Sequence, residues 1–519
     1  MGSLRAAPAP KFFCIAREYD DVHYRARGPR RKEDIMKHAS LWIDGKWRDG
    51  AQGRTAEVLS PSNGEVVATY ADADVQDTDA AIVAARNAFD HSAWSRSPRQ
   101  RAAFLLALAS GLEAASEPLA EEISATNGKL MSEARHEIVA AASELRYYAG
   151  LARNIFGRVT EIEPGLMAML AREPLGVAAI IVPWNAPLTL LARSLAPALA
   201  AGCTCIIKSA GQTSLPTEGA LRIASEIPTL PRGVLNLIAE SGNRCGQRLV
   251  ESPDVDMVSY TGSTPVGKAI MAAGAATLKR LNLELGGNAP VLVLPSARIS
   301  TAVDGIVRGA LSYAGQVCVA ASRVIVHQDV ADQVRAGLVE RLKAHTPGLP
   351  HDPAARMGPL INRASRERIL SMQDSGGEGA INRLACIVPA HLPANGGFVT
   401  AGLVEVKDPS SPLMQDEVFG PLLSLTVCAN EREMAAVADH SRFGLAAGVW
   451  SEDLGQAQRL ARDLRTGTVW INGHMRLFAE IETGGYKDSG IGRLHGVEGL
   501  EAFLQTKHVS WQLAVPSEA

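Results

Sequence analysis

Four short apolar runs, GVAAIIVPW (176–184), TCIIKSA (204–210), GVLNLIA (233–239) and MVSYTGS (257–263), follow one another with helix-length stretches between them. Parallel strands cannot be joined by tight turns and need a crossover, usually a helix, so this alternation predicts a parallel sheet wrapped by helices. It reads as a doubly wound, dinucleotide-type half. Ahead of it, residues 75–150 are Ala-rich with apolar spacings of three and four, which predicts several amphipathic helices. A second alternating region starts at NAPVLVL (288–294) and continues through SRVIVH, LLSLTVC and AAGVWS to GTVWING (467–473), predicting a second α/β domain with the boundary near Leu283. The Gly-rich, Pro-containing stretch 374–397 reads as a loop or excursion.

The totals narrow the function classes. The net charge of −3 over 519 residues gives no general attraction to nucleic acid or an anionic membrane, so neither is expected as a partner. The longest apolar runs are too short for a membrane span. Seven cysteines (14, 203, 205, 245, 318, 386 and 428) form no CxxC pair, which argues against a disulfide framework or zinc site and favours a reducing, cytoplasmic setting. Twelve histidines show no paired-ligand spacing, so no catalytic metal is expected. Residues 1–35, with eight Lys/Arg and five Asp/Glu and no sustained periodicity, read as a disordered extension. A transit peptide would be poorer in acids.

Chemistry centres on two short segments. Cys318 sits in YAGQVCVAASR, behind a Gly-Gln pair, and Glu284 lies 34 residues ahead of it in ELGG (284–287). Alone, such a cysteine is more often core filler than nucleophile. It has company: PWNAP (183–187), SYTGSTPVG (259–267), QDEVFGP (415–421) and GGYKDSGIGR (484–493). These six motifs, in this order, resemble the aldehyde dehydrogenase superfamily, and the resemblance runs from about Leu41 to about Val509.

The resemblance implies a dinucleotide-binding domain over 36–154 and 174–283, a catalytic domain over 284–484, and oligomerisation segments at 155–173 and 500–515 that make a homodimer or homotetramer. It implies that Cys318 attacks an aldehyde, that Asn185 and the Cys318 backbone N–H receive the developing oxyanion, and that Glu284 activates water to hydrolyse the resulting thioester. A base at 284 favours a free carboxylic acid as product over transfer to coenzyme A. The cofactor is NAD or NADP. Trp184, the Gly262, Ser263 and Gly267 turn, Glu417, Phe419 and Lys208 match the family's cofactor-binding positions. A departure falls at KSAG (208–211), where Gly211 stands in place of the family's ribose-binding carboxylate. Its absence removes an NAD-favouring bond and an NADP-opposing charge, leaving the preference open.

Three positions often aromatic in the family's substrate tunnel are small here, Ala186, Ser312 and Thr483. A wider, more polar tunnel for a bulky, aromatic or oxygenated aldehyde follows. On a helix after Asn185, residues Ala186, Thr189, Leu190 and Arg193 share a face. Arg193 is either an anchor for a substrate carboxylate, as in a dicarboxylic semialdehyde, or a structural arginine that pairs with an acid or reaches solvent. Arg476 and Glu482 are further candidates for the entrance. A binding protein that has kept this fold without catalysis is the remaining alternative.

Overall fold

The computed structural model describes residues 36–513, so the reading of residues 1–35 and the tip of the 500–515 segment lie outside the described residues. An eight-stranded sheet runs, in spatial order, Gly490–Ile491, Arg280–Glu284, Met257–Thr261, Val177–Ile181, Thr204–Ala210, Leu235–Glu240, Leu41–Ile43 and Lys46–Arg48. Its central strands, from Arg280–Glu284 across to Leu235–Glu240, are parallel, and the outer ones are antiparallel. Every residue of Val177–Ile181, Leu235–Glu240 and Met257–Thr261 is buried. Burial on both faces is why these strands appear in the sequence as unbroken apolar runs.

One face is covered by Pro98–Ala114, Met131–Leu151 and Pro187–Ala201, whose side chains share a core with Ala178, Ile180 and Ile207. The other is covered by Val75–His91 and Arg244–Glu251, against Ala179, Ile206 and Val258. Truncating Ile180 to Ala in such a core costs about 2–5 kcal/mol. Val75–His91 begins with a capping box in which Asp74 accepts from Asp77 N–H and Asp77 returns a bond to Asp74 N–H.

A seven-stranded sheet follows, ordered Ile381–Leu384, Gly402–Glu405, Leu422–Cys428, Ala321–His327, Ala289–Val293, Ala446–Trp450 and Thr468–Ile471. All its neighbours are parallel except Ile381–Leu384, an antiparallel edge strand inside the stretch expected to be a loop. Three of its four residues are exposed, so it carries no apolar run. A separate antiparallel sheet places Leu166–Pro174 between Arg158–Glu163 and Leu504–Gln512, in register from Leu504 against Pro174 to Gln512 against Leu166. Among the described residues, no single helix is long and apolar enough to cross a membrane.

Candidate active site

Cys318 follows a tight turn after the helix Ile299–Leu311. Tyr313, Ala314 and Gly315 all have positive φ (54°, 55° and 73°), a costly conformation for the two non-glycine residues that neighbours must hold in place. Glu133 Oε1 accepts the Tyr313 N–H at 2.8 Å, Gln316 Nε2 donates to Tyr313 O, and Gln316 Oε1 accepts the Ile361 N–H at 2.9 Å. The turn brings Cys318 onto the ELGG segment. A Cβ added to Gly287 would strike the Cys318 carbonyl oxygen, and one added to Gly286 would lie 2.8 Å from Glu417 Oε2. Each glycine of this pair therefore makes room for a different arm of the site.

Glu284 ends its strand opposite Thr261 on one side and Gly490 on the other. It is buried, and its carboxylate makes no hydrogen bond to another described residue. Burial raises its pKa, opposed by the charge of Arg193 and then of His495. Burial also pushes the Cys318 thiol up to about 12, with the Glu284 carboxylate adding to the effect.

Two cavities meet at Cys318. The larger, about 540 Å3, is lined by Glu284, Arg193, Thr189, Tyr313 and Thr483 among others. Ala186, Ser312 and Arg476 also face it, so the small positions, the helix face and one entrance candidate come together there. The smaller, about 300 Å3, is lined by Trp184, Gly262, Ser263, Arg368, Glu417 and Phe419. Asn185, Leu190 and Cys318 belong to both. Lys208, Gly211 and Gly267 line neither; Lys208 and Gly211 lie at the carboxyl end of Thr204–Ala210, and Gly267 is inside the helix Thr264–Gly274.

The small cavity is built from strained and close-packed backbone. Ser263 precedes Thr264–Gly274 without bonding its own helix through its side chain, so that helix's first N–H groups have no cap from it. A Cβ on Gly267 would collide with Leu285, so glycine there lets helix and strand approach. Phe419, at φ 47°, stands edge-on to Trp184 with ring centroids 5.7 Å apart. Arg368 holds this loop by donating to the carbonyls of Glu417, Val418 and Phe419. Glu417 Oε1 accepts the Gly287 N–H at 3.1 Å, and burial raises its pKa to about 7.

Two expectations are corrected, those for Arg193 and Glu482. Asn185 stands just ahead of the helix Pro187–Ala201 but does not cap it: Ala186 directly precedes the helix, and Glu137, paired with Lys129, takes the Leu188 N–H at 2.7 Å. The Asn185 amide instead donates to Gln316 O at 2.8 Å, leaving its second N–H for the cavity. Arg193 neither pairs with an acid nor reaches solvent. It is 4% exposed, its Nη2 lies 3.3 Å from Thr261 Oγ1, and no carboxylate of the described residues falls within ion-pair distance. Glu482 is a cap, accepting the Val497 N–H at 2.8 Å, and does not line the large cavity.

Five residues carried no motif in the sequence: Glu133, Glu137 and Arg368, and the buried pair Glu144 and His495, which lie 351 positions apart. His474, also in the lining, donates from Nε2 to Val319 O, and burial lowers its pKa to about 4, so it is neutral near pH 7.

A cysteine at the junction of a roomy chamber and an aromatic-flanked slot beside a helix start leaves space for two ligands to meet at one sulfur. The sequence profile of the aldehyde dehydrogenase family matches residues 47–509. The chain is 38% identical to aldehyde dehydrogenase family 2 member C4 of Arabidopsis thaliana over 91% of its length and 95% of that protein. It is 36% identical to betaine aldehyde dehydrogenase of Bacillus subtilis over 91% and 96%. Among solved structures, an NAD-dependent aldehyde dehydrogenase from Sinorhizobium meliloti superposes with a TM-score of 0.89 at 34% identity, covering 93% of this chain and 96% of that one. A betaine aldehyde dehydrogenase from Staphylococcus aureus in complex with NAD+ gives 0.89 at 34%, covering 92% and 96%. The chain belongs to the aldehyde dehydrogenase family, NAD(P)-dependent oxidoreductases that act on the aldehyde group.

Proposed function

We propose that the protein oxidises a bulky, oxygenated or aromatic aldehyde to its carboxylic acid through covalent intermediates on Cys318. The observation that carries this reading is the junction itself: Cys318 borders both the chamber that holds Glu284 and the slot that holds Trp184, Ser263, Glu417 and Phe419. The slot fits a dinucleotide's nicotinamide end. Its uncapped helix start suits a pyrophosphate, its carboxylate suits ribose hydroxyls, and its perpendicular aromatic pair suits a flat ring. Lys208, farther along the same sheet edge, would meet the adenosine ribose. Held by these residues, NAD(P) would supply the hydride acceptor.

Cys318 Sγ, once deprotonated, adds to the aldehyde carbon, forming a C–S bond. The charge that appears on oxygen meets the free N–H of Asn185 and the Cys318 backbone N–H, donors of a kind that contributes about 3–4 kcal/mol to a barrier. After oxidation to the thioester, Glu284 takes a proton from water. The resulting hydroxide adds to the thioester carbon, and the C–S bond breaks to release the acid and restore the thiol. A carboxylate whose pKa is raised by burial suits this base role near neutral pH. A reducing compartment belongs to the same proposal, since the free thiol must persist.

A cationic aldehyde fits poorly. A quaternary ammonium needs aromatic faces, but Tyr313 is the one Phe, Tyr or Trp in the chamber lining and its ring already faces Lys129 Nζ at 3.8 Å. The lining's three arginines, Arg193, Arg308 and Arg476, are matched in number by Glu133, Glu144 and Glu284, so what counts against such a group is the missing aromatic faces. The unpaired, buried Arg193 favours a second reading, a carboxylated semialdehyde anchored by its guanidinium fork.

The test is nicotinamide reduction by the purified protein with aromatic, long aliphatic and carboxylated aldehydes, each with NAD and NADP. Preference for the aromatic or oxygenated members supports the first reading. Preference for the carboxylated ones, lost in Arg193→Met, supports the second, and no reduction with any pair refutes both.

A further inference from the structure

We propose that Glu240 makes this enzyme selective for NAD over NADP, by supplying from the neighbouring strand the carboxylate that position 211 lacks. The inference rests on the reading above that Lys208 lies at the adenosine ribose.

Position 211 cannot carry a side chain in this fold as it stands. A Cβ on Gly211 would run into the hydroxyl of Tyr70, which is 4% exposed and fills that space from 141 residues away in sequence. The missing carboxylate is nevertheless present one strand over. Thr204–Ala210 and Leu235–Glu240 are parallel, with Ile238 opposite Lys208 and Glu240 opposite Ala210. Both residues therefore sit at the carboxyl edge of the sheet, where ligands of open α/β sheets gather. Glu240 Oε1 is 3.5 Å from Lys208 Nζ.

Glu240 is held in place rather than free to swing away. Its Oε2 accepts the Cys245 N–H at 2.9 Å and its Oε1 the Gly246 N–H at 3.0 Å, at the start of the helix Arg244–Glu251. Asp72 stands close by, accepting the Ser241 N–H at 2.8 Å and the Ser241 hydroxyl at 2.9 Å. Two consequences follow for the ligand. A ribose diol has O–H groups to donate to a fixed carboxylate, whereas a 2′-phosphate has none at neutral pH and brings negative charge instead. Lys208 offers that phosphate little relief, because its charge is already matched by Glu240. The cation that would serve a 2′-phosphate if the proposal were wrong is Arg244, exposed at the first position of the same helix.

The experiment isolates the adenosine end from the chemistry. Titration calorimetry measures Kd of the wild-type protein and of Glu240→Gln for 5′-AMP, 2′,5′-ADP, NAD and NADP. Glutamine keeps the size and one acceptor oxygen for the helix N–H groups while removing the charge, and thermal melting establishes that the variant is folded. The wild type is expected to bind 2′,5′-ADP at least about tenfold more weakly than 5′-AMP, a difference of about 1.4 kcal/mol, and the variant to close that gap to within about threefold. Lys208→Gln is the second variant, which keeps Glu240 and is expected to retain or widen the gap.

A wild type that prefers 2′,5′-ADP, a gap unchanged in Glu240→Gln, or a gap that closes in Lys208→Gln overturns the proposal while leaving the dehydrogenase reading intact. If neither NAD nor NADP binds the wild type and no aldehyde supports nicotinamide reduction, the dehydrogenase reading itself fails and the proposal falls with it.

Discussion

Iodoacetamide labelling of Cys318 reads the electrostatics of the site directly. Burial and the Glu284 carboxylate hold the thiol at about 12 in the free protein. At pH 8 such a thiol is about one part in 10^4 ionised, against roughly a quarter for an ordinary cysteine near 8.5, a deficit of roughly two thousandfold. The more basic thiolate is the better nucleophile, and a Brønsted slope of about 0.4–0.5 returns roughly 40-fold of that loss. Cys318 should therefore be alkylated about 50-fold more slowly than an unhindered thiol at pH 8. The logarithm of its rate should climb by one for each pH unit from 6 to 10, without levelling. Peptide-resolved mass spectrometry separates it from Cys203, Cys205, Cys245, Cys386 and Cys428, all buried. Glu284→Gln removes the neighbouring negative charge and should raise the rate at every pH where Glu284 is ionised. A wild-type rate that levels off below pH 9 would show the thiol already activated in the free protein and would refute this reasoning.

Glu284→Gln should also give a rapid burst of nicotinamide reduction of about one equivalent, followed by turnover reduced at least about a hundredfold, because the base acts after the thioester forms; unchanged steady-state turnover would remove Glu284 from that step. Glu417 has a folded pKa near 7, above its unfolded value, so the unfolded chain gives up its proton first as pH rises and stability falls between about pH 4.5 and 7. Glu417→Gln should accordingly melt higher than wild type above pH 7, by up to about 3 kcal/mol, and match it near pH 4; equal melting at pH 8 would show that the ionised carboxylate costs nothing. Thr483→Phe should narrow the large chamber, raising KM for the bulkiest aldehyde of a panel more than about tenfold while sparing a two-carbon aldehyde, an outcome steady-state kinetics can check. Phe156, Val159, Ile162 and Trp511 expose apolar surface on or beside the three-stranded sheet, and light scattering should find a dimer or tetramer; a monomer at micromolar concentration would refute that reading.

The alternation of strands and helices was legible because buried parallel strands leave apolar runs that survive in any local window. Ile381–Leu384 was not, since an exposed edge strand reading INRL has no such run. At the site, Glu284, Cys318, Asn185, Glu417 and Phe419 could be nominated because six ordered motifs together resemble the aldehyde dehydrogenase superfamily; each residue alone has an ordinary structural explanation. The surroundings could not. Whether Arg193 has a partner depends on which acids fold towards it, and whether Gly211 leaves an empty place depends on Tyr70, on a distant strand. Glu137 shows the same limit from the other side: in SEARHEIV it has the spacing of an ordinary helix acid, yet it is 0% exposed and fixes the start of the helix that carries Arg193.

The strand Gly490–Ile491 has a consequence for how the enzyme comes into being. It is the last strand added to the first sheet, it pairs Gly490 with Glu284, and the neighbouring Ser489 accepts the Leu285 N–H and bonds Gly286 O. Chains emerge from the ribosome N-terminus first, at about 5–20 residues per second, so a nascent chain that already holds Glu284 waits on the order of ten to forty seconds for the segment that clasps it. For part of that interval the loop that carries Cys318 can be present while Glu284 lacks its final brace. The surroundings of Glu284 are thus completed late in synthesis, only when residues 489–491 return to a strand made about two hundred residues earlier.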